Sequence, residues 1–286
     1  MSEKVLIASD STTDLPPELI ERYHIQIIPL GVTLGDKTYT DGVDIDPDRI
    51  YRLYEQTGEL PKTSAVNIAE FVEFFRTHTQ QGRSVVLFTI SAEFSSTFSN
   101  ARLAAQEFDR VFVVDTRNLS TGGGLLVARA AELAEQGWEA EQIAQECARL
   151  APCVDASFVI DSLEFLHKGG RCSALAALGA NLLHLKPCIL VRDGRMTLGK
   201  KYRGKFSAVL KQYIADHLGD GSDIDPARVF VTHAGCAPEV VDACVAQVKA
   251  AVPFGEVLVT RAGCTISSHC GRNTLGVLFL RNAPIA

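Results

Sequence analysis

Three apolar runs, at residues 5–8, 84–89 and 111–115, show no alternation of apolar and polar side chains, and each leads into a hydroxyl- or glycine-rich loop followed by a helical pattern. A strand with alternating side chains keeps one wet face, whereas a strand without alternation is dry on both. Dry strands joined through helices specify a parallel sheet held between two helical layers. The chain has 286 residues, more than the usual single domain, so each half is long enough to bury a core of its own.

Local signals fill in the first half. Pro16 opens a helix over residues 16–23, and residues 25–34 read as extended chain up to a Gly35-Asp36 turn. Asp46-Pro47 supplies an N-cap and a first-turn proline for a helix reaching about Gln56, and Asn67 caps a helix over residues 68–75. After Ala151-Pro152-Cys153 the rhythm changes. A strand at 157–160, short helices at 163–168 and 173–183, and a hairpin at 187–201 around Asp193-Gly194 precede a helix at 205–218. A Gly/Asp linker at 219–225, strands at 229–232, 257–260 and 275–280, and a helix at 238–251 complete the pattern. The expected architecture is two domains: a Rossmann-like parallel α/β domain over 1–153 and a mixed α+β domain over 154–286, with a ligand site between them.

A formal net charge of −6 gives no support for non-specific binding to nucleic acid or to an anionic membrane. The amino-terminal apolar run ends at Asp10, too short for a signal-peptide core, and no apolar stretch approaches the ~20 residues of a membrane span. A cytoplasmic protein without stable membrane insertion is expected. The eight cysteines are scattered without a CxxC pair, which fits reduced, buried thiols.

Five hydroxyl-rich patches follow predicted strands or open helices: 9–13, Thr63-Ser64, Ser91 with 95–97, 115–124 and 267–269. In open α/β sheets ligands bind outside the carboxyl ends of strands, where such loops converge. The segment Gly169-Gly170-Arg171 adds a tight turn and a bidentate cation beside an expected helix start, next to an Ala- and Leu-rich stretch. An acidic head group with an apolar body suits that combination. Gly122-Gly123-Gly124 lacks the lysine of a Walker loop and the spacing of a dinucleotide fingerprint, so helix–strand packing explains it better and no cofactor is expected. His269 with Cys264 and Cys270 does not match a structural zinc spacing.

Taken in order, Ala8–Leu15, Ile28-Pro29-Leu30, residues 39–45, Pro61-Lys62-Thr63-Ser64, residues 90–101, Val114-Asp115-Thr116, residues 166–173, residues 178–187 and Ser268-His269-Cys270-Gly271 resemble the DegV family, the bacterial fatty-acid-binding proteins of the fatty acid kinase system. The chain departs from the family pattern at Ser96, where glycine is usual, at Cys172, and after His269, where Arg272 stands. The resemblance implies a non-enzymatic carrier that holds one long-chain fatty acid between its domains, while an ATP-dependent fatty acid kinase phosphorylates the carboxylate. It also implies that Thr63, Ser95 and His269 hydrogen-bond the carboxylate, with Arg171 and Arg203 as neighbouring cations. Ser64, Ser91 and Thr97 are further candidates in the same loops. Two other readings share these residues: a phosphotransferase or acyl hydrolase using His269, since imidazole serves as nucleophile or base, and a lipid-sensing regulatory module.

Overall fold

The computed structural model describes residues 5–80, 82–172 and 185–285. Its elements begin β1 (Val5–Asp10), α1 (Pro17–Arg22), β2 (Gln26–Ile28), β3 (Gly31–Leu34), β4 (Lys37–Thr40), α2 (Pro47–Thr57), β5 (Lys62–Ser64), α3 (Ile68–Thr79) and β6 (Ser84–Thr89). They continue with α4 (Thr97–Ala105), β7 (Val111–Asp115), α5 (Thr121–Glu135), α6 (Ala140–Leu150), β8 (Val154–Ile160), α7 (Glu164–Gly169), β9 (Leu185–Arg192) and β10 (Arg195–Arg203). The chain closes with α8 (Phe206–Leu218), β11 (Ile224–Ala234), α9 (Pro238–Ala251), β12 (Glu256–Arg261), α10 (Cys264–Cys270) and β13 (Thr274–Arg281).

The unalternated runs form the expected parallel sheet, in the order β2-β1-β6-β7. Every residue of β1 is buried, because α5 covers one face and the α3–α4 pair the other, each with its own apolar cluster. Capping follows the sequence: Asp46 accepts from the Arg49 amide, and Asn67 and Glu70 form a reciprocal capping box. The second sheet is mixed, in the order β10-β9-β8-β13-β11-β12, with only β11 and β12 parallel. Its outer face packs on α8 and α9. Its inner face joins α5 and the first sheet in one continuous core.

A third sheet of short strands, β4-β3-β5, carries Thr63 on β5. The expected helix at 173–183 lies outside the described residues. The Gly pair at 169–170 ends α7, with Gly170 as its left-handed cap (φ 67°). No helix among the described residues is long and apolar enough to cross a membrane.

Candidate functional site

A cavity of about 330 Å³ lies between the loops that follow β2, β6 and β7 and the inner face of the second sheet. Three cross-strand rows of the second sheet run across it, and Thr274, Gly276, Phe158, Leu278 and Met196 of these rows line it. Thr274 and Ile160 form the first; Gly276, Phe158, Ile189 and Leu198 the second; Leu278, Ala156, Val191 and Met196 the third. From Thr274 to Leu278 the strand rises roughly 13 Å, which sets the length of the cavity along the sheet. Thr274 donates to the Cys270 carbonyl (3.0 Å), so the first row adjoins the end of α10 that carries His269. The far end is apolar, with Met196, Leu278 and Phe94.

At the first row, Thr63 Oγ1 and His269 Nε2 lie 2.9 Å apart, although 206 residues separate them. His269 Nδ1 is buried without a partner among the described residues. A proton there would be an unsatisfied buried donor, so the tautomer protonated at Nε2 costs less. In that tautomer His269 donates to Thr63, whose own hydroxyl proton is left to serve a ligand. Burial and, less, the Arg171 charge push the imidazole down to about 4, so it is neutral at physiological pH. Gly169 makes room for the ring: a Cβ there would stand 2.6 Å from Nδ1. Arg171 hydrogen-bonds the Gly169 carbonyl (2.8 Å), lines the cavity and makes no ion pair among the described residues.

α10 spans seven residues, too few to be stable alone. Two buried aspartates from the first half hold its start. Asp41 accepts from the amides of Cys264 (2.8 Å) and Thr265 (3.1 Å) and from the hydroxyls of Thr265 (2.6 Å) and Ser11 (3.0 Å). Asp14 accepts from the Gly263 amide (2.8 Å) and from the Ser120 hydroxyl. Burial raises Asp14 to about 8 and Asp10 to about 6. A buried acid with a raised folded value contributes stability that is complete below its unfolded value, 3.8, and is lost as pH rises through the folded one. His269 runs the other way, its contribution being present above 6.5 and lost as pH falls towards about 4. Between pH 6.5 and 8 the Asp14 effect is the largest of these three. The unfolding free energy should fall there by about 2 kcal/mol. Urea titrations at pH 6.5 and 8 measure it, and in Asp14→Asn the fall should vanish; an unchanged fall in that variant assigns it elsewhere.

Of the sequence candidates, Thr63, Ser64, Ser95, Arg171 and His269 line this cavity. Ser95 is set by Thr97, whose amide and hydroxyl both reach Ser95 Oγ (3.2 and 2.8 Å), so Thr97 stands behind the wall rather than in it. Ser96 has right-handed helical backbone (φ −72°), which needs no glycine, and its side chain joins the lining. Ser91 points away, donating to the Gly194 carbonyl (2.8 Å). Arg203 is an exposed residue at the end of β10, opposite Leu185, and is not among the lining residues. His233 also lines the cavity, beside Thr232; a lone histidine near a strand end carries no sequence signal for that. The glycine run packs as expected: at Gly122 a Cβ would meet Asn118 Oδ1 at 2.1 Å and the Ala156 Cβ of β8 at 3.2 Å.

The family model for uncharacterised proteins of the DegV family matches residues 4–282. A DegV domain-containing protein of Caldanaerobacter subterraneus is 31% identical over 280 residues, covering 97% of this chain and 99% of the relative. Among solved structures, a DegV family protein from Thermus thermophilus, described by its fatty acid binding, superposes with a TM-score of 0.88 at 31% identity, over 97% of this chain and 99% of that one. A stearic acid-binding protein from Eubacterium ventriosum gives 0.84 at 28% identity, over 96% and 97%.

Proposed function

The chain belongs to the DegV family, and we propose that it binds one long-chain fatty acid in this cavity and presents the carboxylate to an ATP-dependent fatty acid kinase, which forms the acyl phosphate. The observation that carries the reading is a cavity whose lining joins the Thr63 and Ser95 hydroxyls, His269 and the Arg171 guanidinium to the apolar side chains of Phe158, Phe94, Met196 and Leu278. The head group lies at Thr63, Ser95 and His269. A carboxylate taken from water without donors costs several kcal/mol, and here the Thr63 and Ser95 hydroxyls and the Arg171 guanidinium supply hydrogen bonds and charge. A neutral His269 serves by orienting Thr63. The tail lies against the sheet, where each buried CH₂ contributes about 0.8 kcal/mol. Affinity therefore resides in the tail and the chemistry in the head. The kinase supplies the phosphoryl group, and this chain supplies position.

His269 Nδ1, the atom that an orienting carboxylate holds in a hydrolytic triad, faces Gly169 and has no partner among the described residues. That geometry favours the carrier over the hydrolase. Purified protein should release a fatty acid of one-to-one stoichiometry on solvent extraction, read by mass spectrometry. With a bacterial fatty acid kinase and ATP it should yield acyl phosphate, and without the kinase none. Protein that carries no fatty acid and takes up neither palmitate nor oleate refutes the binding reading. Loaded protein that no such kinase phosphorylates refutes the presentation reading alone.

A further inference from the structure

Resting on the fatty-acid reading of the cavity, we infer that Met196 is the end wall that sets acyl chain length, held in place by an interlock between the β9–β10 hairpin and the loop after β6. Met196 stands in the third cross-strand row, at the opposite end of the cavity from His269, and is buried within it. The hairpin tip just before it is fixed from the other side of the molecule. Ser91 Oγ donates to the Gly194 carbonyl (2.8 Å), Arg195 pairs with Glu93 (2.8 Å), and Arg117 pairs with Asp193 (3.1 Å). Gly194 has φ 79°, and a Cβ there would stand 2.7 Å from Ser91 Oγ, so the close approach requires glycine.

The pairing of Arg195 with Glu93 also brings together their neighbours Met196 and Phe94, both in the cavity lining. The exposed ion pairs contribute little by themselves. The buried Ser91 bond and the steric fit give the tip one position. The end of the cavity is thus a side chain on a fixed backbone, and its volume decides where an acyl chain must stop. Val191 and Leu278 in the same row are strand residues whose backbones are paired on both sides, whereas β10 is the edge strand, so Met196 is the position where volume changes at least cost to the sheet.

Delipidated protein is exposed to an equimolar mixture of saturated fatty acids of 12 to 20 carbons, and the retained chains are read by mass spectrometry. Met196→Ala should move the preferred length up by about two carbons. It should enrich those chains about fifteenfold, from roughly 0.8 kcal/mol for each further buried methylene. Met196→Phe should move the preference down. Should the alanine variant be too unstable to purify, the phenylalanine variant decides alone. Chain profiles equal to wild type in the variants overturn the inference while leaving the fatty-acid reading intact. A wild-type protein that retains none of the mixture overturns both.

Discussion

Asp41→Ala should lower the unfolding free energy by about 4 kcal/mol, from roughly 1 kcal/mol or more for each of four donors left without an acceptor. The carboxylate is buried, and it is the shared acceptor of two α10 amides and two hydroxyls. Alanine leaves those donors in a space that the carboxylate filled. For a chain of this size the midpoint of thermal unfolding should fall by about 8–16 °C. Asp41→Asn keeps one acceptor oxygen but turns an NH₂ towards donors, so it should fall between alanine and wild type. The consequence reaches the site, because α10 carries His269. A short helix released at its start no longer holds its last turn against Thr63. A thermal midpoint within 2 °C of wild type for Asp41→Ala would mean that α10 is anchored by other contacts.

Much of the scaffold was legible because the forces that build it are local or periodic. The dry run at 84–89 read correctly as sheet interior, whereas 111–115, read as equally dry, is the half-buried edge strand β7; Asp46 and Asn67 read as caps, since cap chemistry depends on residues only three apart. The elements that bear the site were not legible in the same way. β5 is three residues long, Lys62-Thr63-Ser64, and exists because β3 pairs with it. α10, with the sequence Cys-Thr-Ile-Ser-Ser-His-Cys, has no apolar period and forms because Asp14 and Asp41, more than 220 residues earlier, accept its first amides. No local pattern encodes such a contact. The resemblance to a family therefore pointed to Thr63 and His269 together, and the backbone then brought them to 2.9 Å. The same resemblance pointed to Arg203 and Ser91, which stand outside the lining, one exposed and the other turned to the hairpin tip.

Gly169→Ala should weaken binding of palmitate by about 10–100-fold while leaving the fold intact, corresponding to one hydrogen bond to a charged group at about 1.5–3 kcal/mol. The two glycines before Arg171 do different work, and this substitution separates them. At Gly169 the backbone is ordinary helix, so alanine is acceptable to the chain and even favoured over glycine in a helix. Its methyl, however, would stand 2.6 Å from His269 Nδ1, and the ring must move off Thr63. At Gly170 the situation is reversed. Its φ of 67° penalises any side chain by about 1 kcal/mol, but nothing among the described residues lies within 4 Å of the added methyl. Gly170→Ala should therefore lose stability and keep affinity, whereas Gly169→Ala should keep stability and lose affinity. Calorimetric titration of delipidated protein with palmitate, paired with thermal unfolding, reads both quantities. His269→Ala should weaken binding to a similar extent, and the double variant Gly169→Ala/His269→Ala should be no worse than either, because both remove the same contact. Wild-type affinity in Gly169→Ala would show that the Thr63–His269 pair does not hold the head group, and additive losses in the double variant would show that Gly169 acts on the ligand by another route.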